Sequence, residues 1–165
     1  MQINLIKPAD LTLEQLALWS HWQTTQASLE SPYFRPEFTQ AVAAVRQDVE
    51  IAVLTETGQT VGFFPFQRGT LNLGKPVGGK LSDYHGLIAA PGIAVDPTAL
   101  LQKCGLAGWD FDHLPISQAS FLPFSTERGR SPQLDVRGGL EGFNKLRKAA
   151  GSDVIPKIRD RKSVV

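Results

Sequence analysis

A proline inside a strand-like run limits this chain more than any other single feature. Val61-Gly62-Phe63-Phe64-Pro65-Phe66-Gln67-Arg68 is rich in the β-branched and aromatic residues that suit a pleated, half-buried surface. Pro65 has no N–H to give to a ladder, so the strand must lie at an edge, carry a bulge or part from a neighbour at this point. Residues 49–55 form a second β-rich run, and Thr57-Gly58 is a turn between the two, so the pair reads as an antiparallel hairpin. The chain then passes a glycine-rich loop around Gly74, Gly78 and Gly79 and reaches Leu81-Ser82-Asp83-Tyr84-His85-Gly86-Leu87-Ile88. Aromatic, glycine and ionisable residues crowd together only across residues 61–92. Polar groups at a strand end, beside glycines that let backbone come close, are the usual makings of a site on an α/β scaffold. The same residues also make ordinary turns, with Tyr84 and His85 as hydrogen-bonded rim residues.

Around this centre the pattern alternates between sheet and helix. Ile3 to Ile6 reads as a first strand. Thr12 with Gln15 three residues on makes a capping box, and Leu13, Leu16, Trp19 and Trp22 then recur every third residue as a helix stripe that buries two indoles. Ser31-Pro32-Tyr33-Phe34-Arg35-Pro36 is an extended turn, because each residue before a proline is pushed out of the helical region. A second helix starts at Pro36 or Glu37, with Phe38, Ala41, Val42 and Val45 on one side, and stops near Asp48. Leu71 to Leu73 resumes the sheet and Gly86 to Ala89 is a short strand. Asp96-Pro97 starts a helix, with the carboxylate at the N-cap and the ring at N1, and Gly105 stops it. Trp109 to His113 alternates as a strand, residues 121–124 and 133–136 read as two more, and a helix from Leu140 carries Phe143 and Leu146. Gly151 interrupts that helix, which resumes through Val154, Ile158 and basic residues.

The order β-α-α-β-β-β-α-β implies a mixed sheet covered by helices, an α/β fold. With 165 residues, one domain can bury roughly two-thirds of its unfolded surface. A single Cys104 leaves no disulfide framework and no cysteine-rich zinc site, and its apolar neighbours make it a small buried hydrophobe. The residue content, 42% hydrophobic and 20% charged with a net charge of +1, points neither to disorder nor to a nucleic-acid coat. No run approaches the ~20 apolar residues of a membrane span and no signal peptide opens the chain, so the expected location is the cytoplasm. Charge is divided unevenly: residues from Lys145 onward carry +5 and the rest −4. Such a basic end either binds polyanions or is the solvated face of a helix that packs on something else.

Four stretches carry a narrower likeness. Ser31-Pro32-Tyr33-Phe34, Gly62-Phe63-Phe64-Pro65-Phe66-Gln67-Arg68, Leu81-Ser82-Asp83-Tyr84-His85-Gly86-Leu87-Ile88 and Trp109-Asp110-Phe111-Asp112-His113-Leu114 resemble, in that order, the N-terminal half of bacterial CelD-type proteins. These are GNAT-family acetyltransferases of cellulose or exopolysaccharide biosynthesis, built as two GNAT-like halves. The resemblance, running from about Trp22 to about Arg159, implies a GNAT-like mixed sheet over residues 1–150 and, in 151–165, the start of a basic helix or linker to a second domain. It implies acetyl-CoA or another acyl-CoA as the cofactor of a full-length parent, with none held by this chain, which alone is expected to be inactive. The implied partners are the parent's C-terminal GNAT domain and polysaccharide-synthesis machinery, with no nucleic acid.

Acetyltransferases of this fold hold the coenzyme A pyrophosphate on backbone amides at a helix N-terminus. The helix at Asp96-Pro97 stands in that place but offers no glycines, Pro97 has no N–H, and Asp96 repels phosphate. The loop Gly74-Lys75-Pro76-Val77-Gly78-Gly79-Lys80 is the other candidate cradle, without Walker spacing. What the resemblance implies for the polar cluster is an acceptor site, with Asp83, Tyr84 and His85 as the candidate substrate-binding residues. Asp83 with His85, and Asp112 with His113, form a base and its orienting carboxylate only if the two strand ends meet. Two histidines without a third ligand make a weak metal site, so no metal is expected, and no catalytic residue is assigned. Two other readings stand beside this one: a complete small acyltransferase with a divergent donor loop, and a non-catalytic binding or interaction domain.

Overall fold

The computed structural model describes residues 1–132 and 134–152. It divides into two compact units, Met1–Ser125 and Thr126–Val165. The first is a mixed α/β body in the order β1 (Gln2–Ile6), α1 (Leu13–Thr25), α2 (Pro36–Ala43), β2 (Val49–Glu56), β3 (Gln59–Arg68), β4 (Leu73–Lys75), β5 (Ile88–Ala89), α3 (Pro97–Lys103) and β6 (Gly108–Trp109). The strands make one sheet in the order β1-β2-β3-β4-β6, with β5 beside β3. All pairs are antiparallel except β4 with β6.

The hairpin forms as its sequence dictates. Thr57 and Gly58 both take positive φ, at 48° and 83°, the backbone of a type I′ turn that matches strand twist. The register slips between Leu54 and Thr55, which face Gly62 and Thr60, so Val61 is the extra residue of a bulge. Pro65 faces Ile51 on the β2 side. On its other side β3 pairs with β5 through Gly62 and Phe63 and with β4 through Gln67 and Arg68. Residues 64–66 have no ladder partner there among the described residues. Of the three outcomes open to a strand proline, this one is a parting of neighbours, and the bulge falls elsewhere in the strand.

The two faces of β2 and β3 are both buried, which explains their near-continuous apolar runs. Ile51, Val53 and Phe63 pack with Trp19, Trp22 and Phe34 on one face, where the Trp19 and Phe63 rings stack at 4.8 Å. Ala52, Leu54, Phe64 and Phe66 pack on the other face with Leu100, Cys104, Leu106, Trp109 and Phe121. Cys104 is 1% exposed, and burial pushes its thiol up to about 11, so it serves as a small core side chain. Arg68 closes the end of α3 on the sheet: its guanidinium bonds Glu50 at 2.7 Å and donates to the carbonyls of Cys104 and Gly105.

The capping box is present, with Gln15 N donating to Thr12 Oγ1 at 3.2 Å and Thr12 N to Gln15 Oε1 at 3.0 Å. Trp19 Nε1 donates to Phe34 O at 2.7 Å and fixes α1 to the turn at Pro32–Phe34. Several local expectations differ from what is observed. Leu13 heads α1 at 86% exposure, because a stripe of every third residue drifts off the buried face within one turn. In α2 the buried residues are Pro36 and Thr39, while Ala41 and Val45 are exposed and α2 ends at Ala43. The run expected as a strand over 109–113 ends at Trp109. Ala119–Phe124 is a 3-10 helix rather than a strand, with Pro123 unable to serve a ladder. Residues 134–136 form no strand, and Gln133 lies outside the described residues, as do Val154, Ile158 and the basic residues beyond.

The second unit contains α4 (Gly139–Ala149). Gly151, at φ 71°, ends it, with Gly151 N donating to Lys148 O and Ser152 N to Arg147 O. No residue of α4 is buried, and Leu140 and Leu146 are exposed. No helix among the described residues is long and apolar enough to cross a membrane.

Candidate functional site

The gap beside Pro65 is filled by the loop that follows β4. Gly78 N donates to Gln67 Oε1 at 2.8 Å, and Gln67 Nε2 in turn reaches Asp48 at 3.1 Å. Gly78 has φ 82°, and a Cβ there would lie 2.8 Å from Phe38 Cζ, so only glycine lets the loop pass. The amide that a phosphate would need is thus already bonded inside the protein, and Lys75 and Lys80 are exposed. This loop is a strut across the parted sheet.

The chain next brings His85, 6% exposed, to the small cavity that Pro65 also lines. Its Nε2 accepts from two backbone amides, Asp112 N at 3.2 Å and His113 N at 3.0 Å, while His85 N donates to His113 O. Two N–H groups aimed at one ring nitrogen require a bare lone pair there, so the neutral ring carries its proton on Nδ1. Burial holds the imidazole down to about 4 against the upward pull of the Asp112 and Asp110 carboxylates, with His113 adding to the depression. Asp112 Oδ1 is 3.5 Å from Nε2. It makes no charge-assisted bond with it, since the amides already occupy that nitrogen and the ring is neutral.

Nδ1 has no hydrogen-bond partner among the described residues. The ring borders a chamber of about 10 Å³ formed by Tyr33, Thr39, Pro65, Ser82 and Tyr84, near the lower limit for one water-sized group. Ser82 Oγ donates to Tyr84 O at 2.8 Å and steadies this wall.

The two segments expected to meet therefore do meet, and they do so because β6 ends at Trp109 and frees Asp112 and His113 from strand alternation. Asp112 Oδ1 lies 3.1 Å from His113 Nδ1. The contact between segments runs through backbone amides rather than through a carboxylate that orients a base. Asp83 is exposed and makes no bond to His85 among the described residues, and Tyr84 is half-buried. With its Nε2 lone pair engaged, His85 cannot take a proton from a substrate at that atom. Among the described residues no group of three or more His, Cys, Asp or Glu side chains is arranged to hold a metal.

A larger opening lies on the outer edge of β5. It is a cleft of about 320 Å³ between the end of α1, the turn after β5 and the turn at 117–120. Gln118 borders it and places its carboxamide against the strand edge, accepting from Leu87 N at 3.1 Å and donating to Leu87 O at 2.8 Å. Gln26 Nε2 donates to Ala89 O at 2.8 Å. The two glutamines stand in for a missing neighbour strand. Gly86, at φ 145°, leaves the room for this, since a Cβ there would lie 3.0 Å from Gln118 Cδ. Sequence reasoning passed over both glutamines; a polar residue in a turn carries no periodic signal, and only the chain path gives it a partner.

At the start of α3, Asp96 Oδ1 accepts from Thr98 N at 3.0 Å. The helix start thus holds its own carboxylate and presents no cradle for a pyrophosphate. Together these features define a mixed α/β domain with a parted sheet and an uncharged cleft at its side. Compared with protein-family models, curated proteins and solved structures, the chain gives no match.

Proposed function

We propose that the Met1–Ser125 body is the acceptor-side half of a GNAT-type acyltransferase, of the CelD kind tied to cellulose or exopolysaccharide synthesis, and that a second GNAT-like domain holds the acyl-CoA. The observation that carries this reading is the parting of β3 from its far-side neighbours at Pro65, with His85 and Tyr84 bordering the gap. The parting brings loop side chains, rather than a further strand, beside β3, and binding residues are disproportionately carried on loops held by a rigid scaffold. The capped start of α3 favours the acceptor role over the donor role, because a phosphate there would meet the Asp96 carboxylate. Asp83 and Tyr84 are the acceptor-facing residues on this reading, and His85 fixes the wall behind them.

A non-catalytic binding domain is the second reading, favoured by the small volume of the His85 chamber, which leaves no room for an acceptor. Calorimetry with acetyl-CoA, run on this chain and on the full product of its reading frame, separates the two. The acyltransferase reading expects saturable binding, with Kd in the micromolar range, by the full product and none by this chain. Absence of binding in both leaves the binding-domain reading, and micromolar binding by this chain overturns the acceptor-half reading.

A further inference from the structure

The sheet treats its edges unequally. Gln118 and Gln26 cap the edge of β5 and β6 is two residues long, whereas β1 presents five residues with no charged side chain, no proline and no bulge. Charge, proline and bulges are the usual guards of a strand edge. The adjacent cation, Lys7, is held by its own chain, bonding Gln47 O at 3.0 Å and Val49 O at 3.3 Å. Register shows which groups of β1 are free. Arg68 N donates to Asp48 O at 2.8 Å, directly across the β2–β3 ladder, so alternate residues from Asp48 onward bond β3 and those between them face β1. Ile6, Asn4 and Gln2, opposite Ile51, Val53 and Thr55, thus bond β2, and the N–H and C=O of Ile3 and Leu5 point outward. These four groups have no partner among the described residues. The two side chains share one face, where Ile3 packs on the core cluster and Leu5 is 37% exposed.

We propose that β1 pairs antiparallel with β1 of a second copy of this chain, about a two-fold axis at Asn4. In that register Ile3 lies opposite Leu5 of the copy, and Leu5 opposite its Ile3, so every outward group of both strands is bonded and each exposed Leu5 is covered by an isoleucine. No like charges meet across the pair. Sliding the copy by two residues either way spoils the match. One shift sets Leu5 against Met1, whose O already accepts from Lys103 Nζ at 2.7 Å; the other sets Ile3 against Lys7, whose N already donates to Asp10 Oδ2 at 3.3 Å. The edge is therefore complementary to itself in one register, which is what an isologous interface requires. The shared edge is short, so the dimer forms in the micromolar range or above.

Sedimentation of the whole chain from micromolar to millimolar concentration, joined to cysteine crosslinking, tests this. A reversible monomer–dimer equilibrium is expected. Asn4 faces Asn4 of the copy in a pair outside the new ladder bonds, with Cα atoms about 4.5 Å apart and within disulfide reach. Asn4→Cys should therefore crosslink under mild oxidant, whereas Gln2→Cys, displaced from its counterpart by about 13 Å along the strand, should not. The native Cys104 is 1% exposed and does not compete. Asn4→Lys sets two ammonium groups face to face and Leu5→Lys puts a charge against Ile3; each should raise the dimer Kd at least about tenfold. Both positions are exposed, so the folded monomer should persist in circular dichroism. The proposal is overturned by a monomer throughout the range, by a dimer whose Kd both lysine variants leave unchanged, or by crosslinking at Gln2→Cys as fast as at Asn4→Cys.

Discussion

The His85 chamber and the β5 cleft share the stretch from Ser82 to Val95, yet they are opposite in character. The chamber has ionisable and aromatic side chains and room for about one water-sized group; the cleft has room for a small ligand and no ionisable side chain. Chemical conspicuousness in a sequence and space in a fold are thus separate properties. A buried imidazole that bonds two amides is a structural device: it ties the 85 segment to the 112–113 segment. The neutral glutamines do the same for β5 from the outside and leave an opening beside them.

His85→Ala should have the largest effect. It strips the acceptor from two backbone amides and leaves a void beside Trp109, so a loss of about 3 to 4 kcal/mol is expected in urea unfolding. A loss below about 1 kcal/mol would show that the ring does not hold the 85 and 112–113 segments together.

Acid should reproduce part of that loss without mutation. The folded value of about 4 lies below the ordinary 6.5, so the unfolded chain takes up the proton first. The contribution is full above about pH 6.5 and is lost as the pH falls from there through about 4, by at most about 3 kcal/mol. Carboxylates such as Glu50, held below their usual range by Arg68, add a further loss at the acid end. His85→Gln, compared with the parent chain by denaturant unfolding at each pH, should remove the slope between about 6.5 and 4 and keep the rest. An unchanged slope would place the titration elsewhere.

On the cleft side the effects are smaller. Gly86→Ala forces a side chain into φ 145° and toward Gln118, and should cost about 2 kcal/mol and release the Leu87 edge. Gln118→Ala leaves Leu87 N and O open to water and should cost about 1 kcal/mol. Hydrogen exchange at Leu87 should rise in both variants while exchange at His113 stays slow. Equal acceleration at both positions would mean that chamber and cleft are not separate.

The sequence disclosed most about elements whose signal is local. Thr12 and Gln15 cap α1 as their spacing requires, and Thr57-Gly58 turns the hairpin because glycine tolerates positive φ. Pro65 announced an irregularity but not its kind, because a lost donor is equally compatible with a bulge, an edge and a parting. The short strand at 109 and the 3-10 helix at 119–124 were not legible, since packing of Trp109 and Phe121 on Phe64 overrides weak alternation. Meeting of the 85 and 112–113 segments was legible as a possibility. That backbone amides rather than a carboxylate make the contact depends on atomic distances alone.

The state of the His85 ring tests the account most directly. Long-range proton–nitrogen correlation on the imidazole, recorded at neutral pH and again near pH 5, reads both tautomer and charge. The account predicts a neutral ring at both, with the proton on Nδ1 and a bare Nε2 held by the amides of Asp112 and His113. A proton on Nε2, or a ring already charged near pH 5, would contradict it, because neither form can accept both amides and hold the 85 and 112–113 segments together.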